Sequence, residues 1–287
     1  MAGGSKDRSP ERLPLIDPVE FSDFLKSAQV MLRVIYAVVL RESRTRHGRS
    51  DLGYAWAIFD PLIELGVLML VFIALGRTSP LPVPLPVFLL TGLLPFHFFR
   101  DCVSRGASAA SANQALLTYP QVKVMDIVVG RVVLEMITAC LVYVCFMVGL
   151  HYITGESFSS WYDHPTEMMC ALLGIFLFGL GFAVFSCSLA RLSPVWTTIW
   201  PFLSRPLWFT SGMFFVLEHL PNNARAYAIY NPIAHMIEWW RSASLPSFTS
   251  TVGSPTYVIA TGAVTLFIGL GLDRLLNLVG HSDEPAS

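Results

Sequence analysis

Charge is what this sequence has least of. Only 14% of its 287 residues are Asp, Glu, Lys or Arg, where an average soluble domain carries about 25%. A hydrophobic fraction of 54% and a mean hydropathy of +0.57 exceed what one buried core needs, because a soluble domain must cover its surface with polar side chains. This argues against an ordinary cytosolic enzyme and makes the bilayer the expected solvent. Neither sign of charge dominates. Nineteen basic and 20 acidic residues leave a net charge of −1, so there is no basic excess to suggest nucleic acid as a partner. The five cysteines (Cys102, Cys140, Cys145, Cys170, Cys187) are odd in number and never form C-x-x-C. They read as small apolar packing residues, not as a disulfide framework or zinc site. The first twenty residues have no apolar stretch, so no cleavable signal peptide is expected.

Familiar chemistry is missing as well. The three lysines, Lys6, Lys26 and Lys123, all lack a preceding glycine, so the chain cannot supply a P-loop. H-E-x-x-H is absent. His235 and Glu238 share a helical face, but one such pair is weak evidence for a metal, and an interfacial structural role is expected. Glu218-His219 and Asp163-His164 come nearest to an acid/base pair, in outer loops where a solvated charge is the commoner explanation. No catalytic residue, metal ligand or bound cofactor is assigned to this chain.

What remains is patterned apolar sequence. Residues 1–16, rich in charge, Gly and Pro, read as a disordered cytoplasmic tail. Asp17-Pro18-Val19-Glu20 has the acceptor, proline and glutamate of a helix start. Phe21, Phe24, Leu25, Ala28, Leu32 and Ile35 then recur at helical spacing. Residues 17–52 thus read as an amphipathic interfacial helix followed by a basic cytoplasmic segment. Six apolar runs follow, at 61–76, 85–99, 132–153, 168–189, 195–216 and 257–272, each near the roughly 20 residues of a bilayer crossing once flanks are added. In the fifth, Pro201, Arg205 and Pro206 predict a kinked or broken helix. Residues 218–255 are amphipathic (Ile229, Tyr230, Ile233, Met236, Ile237, Trp239, Trp240) and suggest helices that dip into the outer leaflet. The expected fold is an all-α integral membrane protein with an N-terminal interfacial helix, six transmembrane helices over 53–280, short re-entrant helices before the last span, and a cytoplasmic tail at 281–287.

With the N-terminus inside, fifteen basic residues fall on the cytoplasmic side, as the preference of Lys and Arg for that side requires. Arg77, Arg225 and Arg241 fall outside, and Arg205 lies within the fifth run. Six crossings return the C-terminus to the cytoplasm.

The most unusual stretch joins the basic segment to the first span. Arg41, Arg44, Arg46 and Arg49 form a cationic collar suited to phosphates or carboxylates, or to ordinary anchoring on anionic lipid. The run Arg44, Arg46, Gly48, Leu52-Gly53, Trp56-Ala57, Pro61-Leu62 resembles permeases of ABC-type polysaccharide exporters, in particular their inner-membrane capsular polysaccharide export subunits. Asn113-Gln114-Ala115-Leu116-Leu117 followed by Tyr119-Pro120 resembles that family's cytoplasmic coupling segment. The resemblance implies a half-transporter that dimerises and exports a lipid-linked polysaccharide across the bacterial inner membrane. Two copies of a separate ATP-binding subunit would hold the ATP and Mg, and periplasmic and outer-membrane export proteins are implied as further partners. Residues 107–120 would transmit motion, with Leu116 and Leu117 docking on the ATPase.

A polysaccharide path is expected to be wet and lined by aromatic faces. The candidates are Tyr54, Trp56, Phe59, Asp60 and Glu64 from the first span and Trp196, Trp200, Arg205 and Trp208 from the fifth. Acids inside a span usually face a cavity or a partner helix. Arg205 demands an anion, whether Glu64, Asp60 or an acidic sugar. Arg131 and Glu135, one turn apart, are expected to form a structural pair. Other lipid-linked cargo (O-antigen, teichoic acid), a membrane-embedded glycan- or lipid-modifying enzyme and a proton-coupled transporter are the competing readings. The enzyme lacks an acid/base constellation, and the proton-coupled transporter lacks a relay of acids or an internal repeat.

Overall fold

The computed structural model describes residues 21–45, 53–119, 121–155 and 164–282; the sequence expectations on 1–20, 46–52, 120, 156–163 and 283–287 lie outside the described residues. The described chain is helical throughout. In order it forms α1 (Phe21–Thr45), α2 (Gly53–Ala74), α3 (Leu85–Ala107), α4 (Ala109–Ala112), α5 (Gln114–Leu117), α6 (Val124–Thr154), α7 (Pro165–Leu192), α8 (Trp196–Thr210), α9 (Asn222–Ala228), α10 (Pro232–Ser244) and α11 (Pro255–Ser282). Among the described residues four helices are long and apolar enough to cross a membrane: Leu85–Ala107, Val124–Thr154, Pro165–Leu192 and Pro255–Val279.

α3 is the central helix. Pro84 precedes it and Pro86 occupies its first turn, where a missing N–H costs nothing. Every residue from Val87 to Phe99 is buried, against neighbours in α2, α6, α7, α8 and α10. In lipid such packing depends on small residues that let backbones approach, and α11 shows why. A Cβ on Gly262 would lie 2.8 Å from the Phe178 Cα, and one on Gly269 would lie 2.6 Å from the Phe185 backbone nitrogen. The Ser188 hydroxyl donates to the Gly269 carbonyl at 2.9 Å, and Arg191 pairs with Asp273. Contacts that rise together along both helices make α7 and α11 parallel, so residues 193–254 return to the end where α7 began.

α8 and its sequel make that return, and here the fold departs from expectation. The fifth apolar run, expected to continue to residue 216, is helical only from Trp196 to Thr210. Fifteen residues rise about 22 Å, less than the roughly 30 Å hydrocarbon core. Pro201 and Pro206 lie inside the helix, and Gly212, at φ +77°, takes a left-handed conformation that ends it. The amphipathic stretch beyond folds into α9 and α10 and does not form a plain loop. Asn231 caps α10, its side chain accepting the Ile233 N–H at 3.0 Å, with Pro232 in the first turn. Ile233, Met236, Ile237 and Trp240 are buried, whereas Ile229 and Tyr230 are exposed.

α1 packs on α6, with Val38 seated over Gly130. Of the expected apolar face with described side chains, Ile35 is half-buried and Leu32 points away from the protein.

Candidate functional site

Side chains of α2, α3 and α8 meet in a cavity of about 290 Å³ lined by Glu64, Phe96, Arg100, Ser204, Arg205, Trp208 and Phe209. Three of the channel candidates, Glu64, Arg205 and Trp208, therefore come together. Glu64 is held by His97, whose Nε2 lies 3.2 Å and 3.1 Å from its two carboxylate oxygens. Arg100 donates from Nε to Asp101 at 2.9 Å. The guanidinium of Arg205 lies 5.7 Å from the Phe202 ring centre. The side chain is exposed, and among the described residues no carboxylate pairs with it. The expectation that Glu64 or Asp60 would neutralise Arg205 is therefore corrected: Glu64 is taken by His97, and Asp60 is exposed.

Two tryptophans lie elsewhere. Trp200 is 6% exposed and edge-on to Phe99 at 5.9 Å, while Trp196 stacks on Trp200 and donates to the Ser186 hydroxyl at 2.6 Å. They pack the first turns of α8 against α3 and α7 and do not line the cavity. Phe59 is exposed. The side chains of Arg44, Arg46, Arg49, Tyr54 and Trp56 lie outside the described residues.

A second group of polar residues gathers around α4 and α5. Asn113 is buried, donating to the Ala109 carbonyl at 3.1 Å and accepting from Arg41 at 3.3 Å. Leu116 and Leu117 are half-buried against the chain's own core. Gln114 and Tyr119 face outward. The two leucines thus help to anchor the segment while remaining partly accessible, and Pro120 lies outside the described residues. Arg131 reaches Glu42 of α1 at 3.1 Å, the Arg105 carbonyl at 2.8 Å and the Ser108 hydroxyl at 3.0 Å. Glu135 meets the Arg105 guanidinium at 2.6 Å. Arg131 and Glu135 both join α6 to other helices, a role that i, i+4 spacing alone does not reveal.

At the opposite end sits a residue that the sequence reading placed in an outer loop. Arg241 is wholly buried. It donates to the carbonyls of Gly212 at 2.6 Å, Met213 at 2.8 Å and Phe215 at 3.1 Å, and lies 4.3 Å from the Phe88 ring centre. Beyond the end of α8 at Thr210 the carbonyls of residues 212, 213 and 215 lie outside any helix, and a guanidinium with five donors meets all three at once. A Cβ on Gly92 would stand 2.6 Å from the Arg241 Nη2, so glycine makes the room. The signal was present in the sequence as a helix break at Gly212 followed by an arginine in an amphipathic segment. Nearby, His235 accepts the Ser254 N–H on Nδ1 at 3.1 Å and donates from Nε2 to the Ile229 carbonyl at 2.7 Å. Glu238 accepts the Leu217 N–H at 2.9 Å. The His235–Glu238 pair therefore serves structure, and among the described residues no cluster could hold a metal. Glu218 accepts both the N–H and the O–H of Thr251, at 2.6 and 2.7 Å. These bonds hold its carboxyl below the ordinary range.

Residues 33–245 match the model of the ABC-2 type transporter membrane domain. The chain belongs to this family. It is 35% identical over 247 residues to the polysialic acid transport protein KpsM of Escherichia coli, covering 86% of this chain and 94% of that protein. It is 30% identical over 260 residues to the capsule polysaccharide export inner-membrane protein CtrC of Neisseria meningitidis, with 88% and 94% covered. To the BexB protein of Haemophilus influenzae, of the same description, it is 31% identical over 252 residues, with 86% and 92% covered. The ABC-2 match begins within α1 and runs through α10, so it takes in the cavity, the α4–α5 segment and the Arg241 cage. The protein is a multi-pass membrane transport subunit, as the composition required.

Proposed function

We propose that this chain is the permease of an ATP-driven exporter of a lipid-linked capsular polysaccharide across the bacterial inner membrane. It works as a homodimer with two copies of a separate ATP-binding subunit, which carry the ATP and Mg. Periplasmic and outer-membrane export proteins receive the cargo. The observation that carries the reading is similarity to capsule export permeases over more than nine-tenths of their length. It is joined by the absence of any P-loop from the sequence, so a pump built on this chain must take its energy from a partner.

In this reading α2, α3, α6, α7, α8 and α11 are the six spans, with α9 and α10 completing the short fifth crossing from the outer side. Both termini are cytoplasmic, and α1 rests at the inner interface. The parallel run of α7 and α11 supports this topology, because the chain between them must cross once from the end of α7 to the end where α11 starts. Arg105, Arg131 and Arg191 then share the inner end. The α4–α5 segment meets the ATPase through Gln114 and Tyr119, while Asn113, Leu116 and Leu117 hold it to the bundle. The collar of Arg41, Arg44, Arg46 and Arg49 and the aromatic residues Tyr54, Trp56 and Phe59 guard the entrance.

The test is co-purification of the tagged chain in nanodiscs with mass identification of bound subunits. A stoichiometric P-loop ATPase is expected. A chain that purifies alone and retains function alone would sink the exporter reading and bring forward an embedded glycan-modifying enzyme.

A further inference from the structure

α4 and α5 have four residues each, and neither has a side-chain cap at its N-terminus. One isolated turn is marginal, because closing it fixes several residues for a single hydrogen bond. What holds these two turns in place must therefore come from other elements, and α1 reaches both ends of α4. At the start of α4, Ser108 also closes α3. Its hydroxyl accepts from the Arg131 Nη1 at 3.0 Å, which donates to the Arg105 carbonyl at 2.8 Å as well. The other arm of that guanidinium, Nη2, pairs with Glu42 of α1 at 3.1 Å. At the far end, Asn113 closes α4 and opens α5. It accepts from the Arg41 Nη1 of α1 at 3.3 Å and donates to the Ala109 carbonyl at 3.1 Å.

Neighbouring residues of α1 can do this because of the face they occupy. Val38, Arg41 and Glu42 are spaced i, i+3, i+4 and so lie together on one side of the helix. Val38 is 4% exposed and rests on Gly130, where a Cβ would lie 2.9 Å from its Cγ1. Glycine at 130 admits α1 this close, and the next residue of α6, Arg131, then comes within reach of Glu42. The side chains of that ion pair are only 13% and 6% exposed, so it is not one of the screened surface pairs that contribute little. Arg105 meets Glu135 at 2.6 Å, which ties the end of α3 to the same helix.

We propose that α1 is a strap that positions the α4–α5 segment for the ATP-binding subunit, with Arg41 and Glu42 as its positioning residues. The proposal rests on the exporter reading, in which Gln114 and Tyr119 meet that subunit, and goes beyond it by making coupling depend on a helix that does not carry the contact. Arg41 has this task besides its place in the collar. Without the strap Gln114 and Tyr119 still present themselves, so the subunit binds. A segment that shifts under load then transmits less of the subunit's motion to the spans.

The full chain is co-purified with its ATP-binding subunit in nanodiscs, and ATP hydrolysis is compared with that of the subunit alone. The parent chain is expected to raise kcat. Arg41→Ala and Glu42→Gln are each expected to lower it about tenfold, the worth of one bond to a charged partner, with KM for ATP and recovery of the subunit within about twofold of the parent. Arg41→Lys, which keeps a donor for Asn113, recovers most of the loss. Asn113→Ala is expected to reproduce the loss of Arg41→Ala, and the double variant to lose no more than either alone. Additive losses place Arg41 in the collar only and overturn the proposal. Variants that hydrolyse ATP like the parent overturn it too, as does a parent that leaves kcat unchanged or a loss that lies wholly in recovery of the subunit. Arg41 is exposed, so its variants decide the matter if Glu42→Gln does not fold. A parent that recovers no ATPase removes the exporter reading and the strap with it, whereas a recovered and stimulated ATPase indifferent to Arg41 and Glu42 removes only the strap.

Discussion

Arg241→Ala is expected to destabilise the protein more than any other single charge removal in α9 or α10. The side chain is wholly buried, and its two shortest bonds, to Gly212 and Met213, satisfy carbonyls that no helix reaches. Stranding a buried acceptor costs about 1–3 kcal/mol, and dismantling a buried charged network usually costs about 3–5 kcal/mol. Taken together, about 3–5 kcal/mol is expected, or a drop of roughly 5–15 °C in apparent Tm for a chain of this size. Arg241→Lys restores one donor group without the fork and recovers part of the loss. The assay is a temperature ramp in detergent followed by gel filtration, scoring the monodisperse peak. An Arg241→Ala protein that melts within about 2 °C of the parent would refute the reasoning, because the carbonyls would then have found other partners.

Gly92 supplies the internal control. Its absent Cβ would press on the Arg241 Nη2 at 2.6 Å and on the Met213 carbonyl at 2.9 Å, so Gly92→Ala should cost about 1–3 kcal/mol by overpacking. Without the guanidinium only the second clash remains. The double variant is therefore expected to lose less than the sum of the two single losses. Strict additivity would show that Gly92 and Arg241 do not share this space.

Three other outcomes are expected. Gly269→Val forces α11 away from α7, whose Phe185 backbone lies 2.6 Å from the added carbon; it should lower apparent Tm and yield in the same ramp, whereas Ser188→Ala should cost only about 1 kcal/mol. Glu218 is held below its ordinary value of 4.5 by its bonds to Thr251, so its contribution is full above 4.5 and fades as pH falls through the folded value. Hydrogen exchange at the Thr251 amide should accelerate across that acid window in the parent and lose this dependence in Glu218→Gln. Tyr119→Ala paired with Gln114→Ala should weaken recovery of the ATPase partner several-fold without changing apparent Tm, while Leu116→Asp with Leu117→Asp should lower both; unchanged recovery in both pairs would remove the α4–α5 segment from the coupling role.

Hydropathy made α3, α6, α7 and α11 legible, because a run of apolar side chains long enough to cross lipid has few other uses. Their ends were less legible: α6 begins at Val124, eight residues before its apolar core, since Asp126 and Arg131 are buried by partners that a hydropathy profile does not contain. The run ending at residue 216 concealed the stop at Thr210, although Gly212 and the two prolines marked it. The burial of Arg241 was not legible for a related reason. Counting basic residues by loop assumes that each faces water, and a guanidinium surrounded by carbonyls breaks that assumption. At the cavity, Glu64, Arg205 and Trp208 were found because ionisable and aromatic residues inside a span are few. Arg100, His97 and Phe96 were missed because they come from α3, and only the packing of three helices brings them to the same place.

That packing also explains why α8 is the helix that presents the cavity. Its N-terminal end is fixed by Trp196 on Ser186 and by Trp200 edge-on to Phe99. Its C-terminal end is fixed by Arg241 on the carbonyls that follow it, and by Asn231, whose side chain donates to the Thr210 carbonyl at 3.3 Å. Between these anchors Phe202, Arg205 and Phe209 project outward, and Pro201 and Pro206 remove two backbone donors from the helix. A helix weakened in the middle needs both ends held if a central side chain is to keep its position. The short length of α8, the position of α10 and the burial of Arg241 are therefore linked. α10 brings the arginine that holds the carbonyls beyond α8, and α8, held at both ends, lays Arg205 and Trp208, one turn apart, along the cavity.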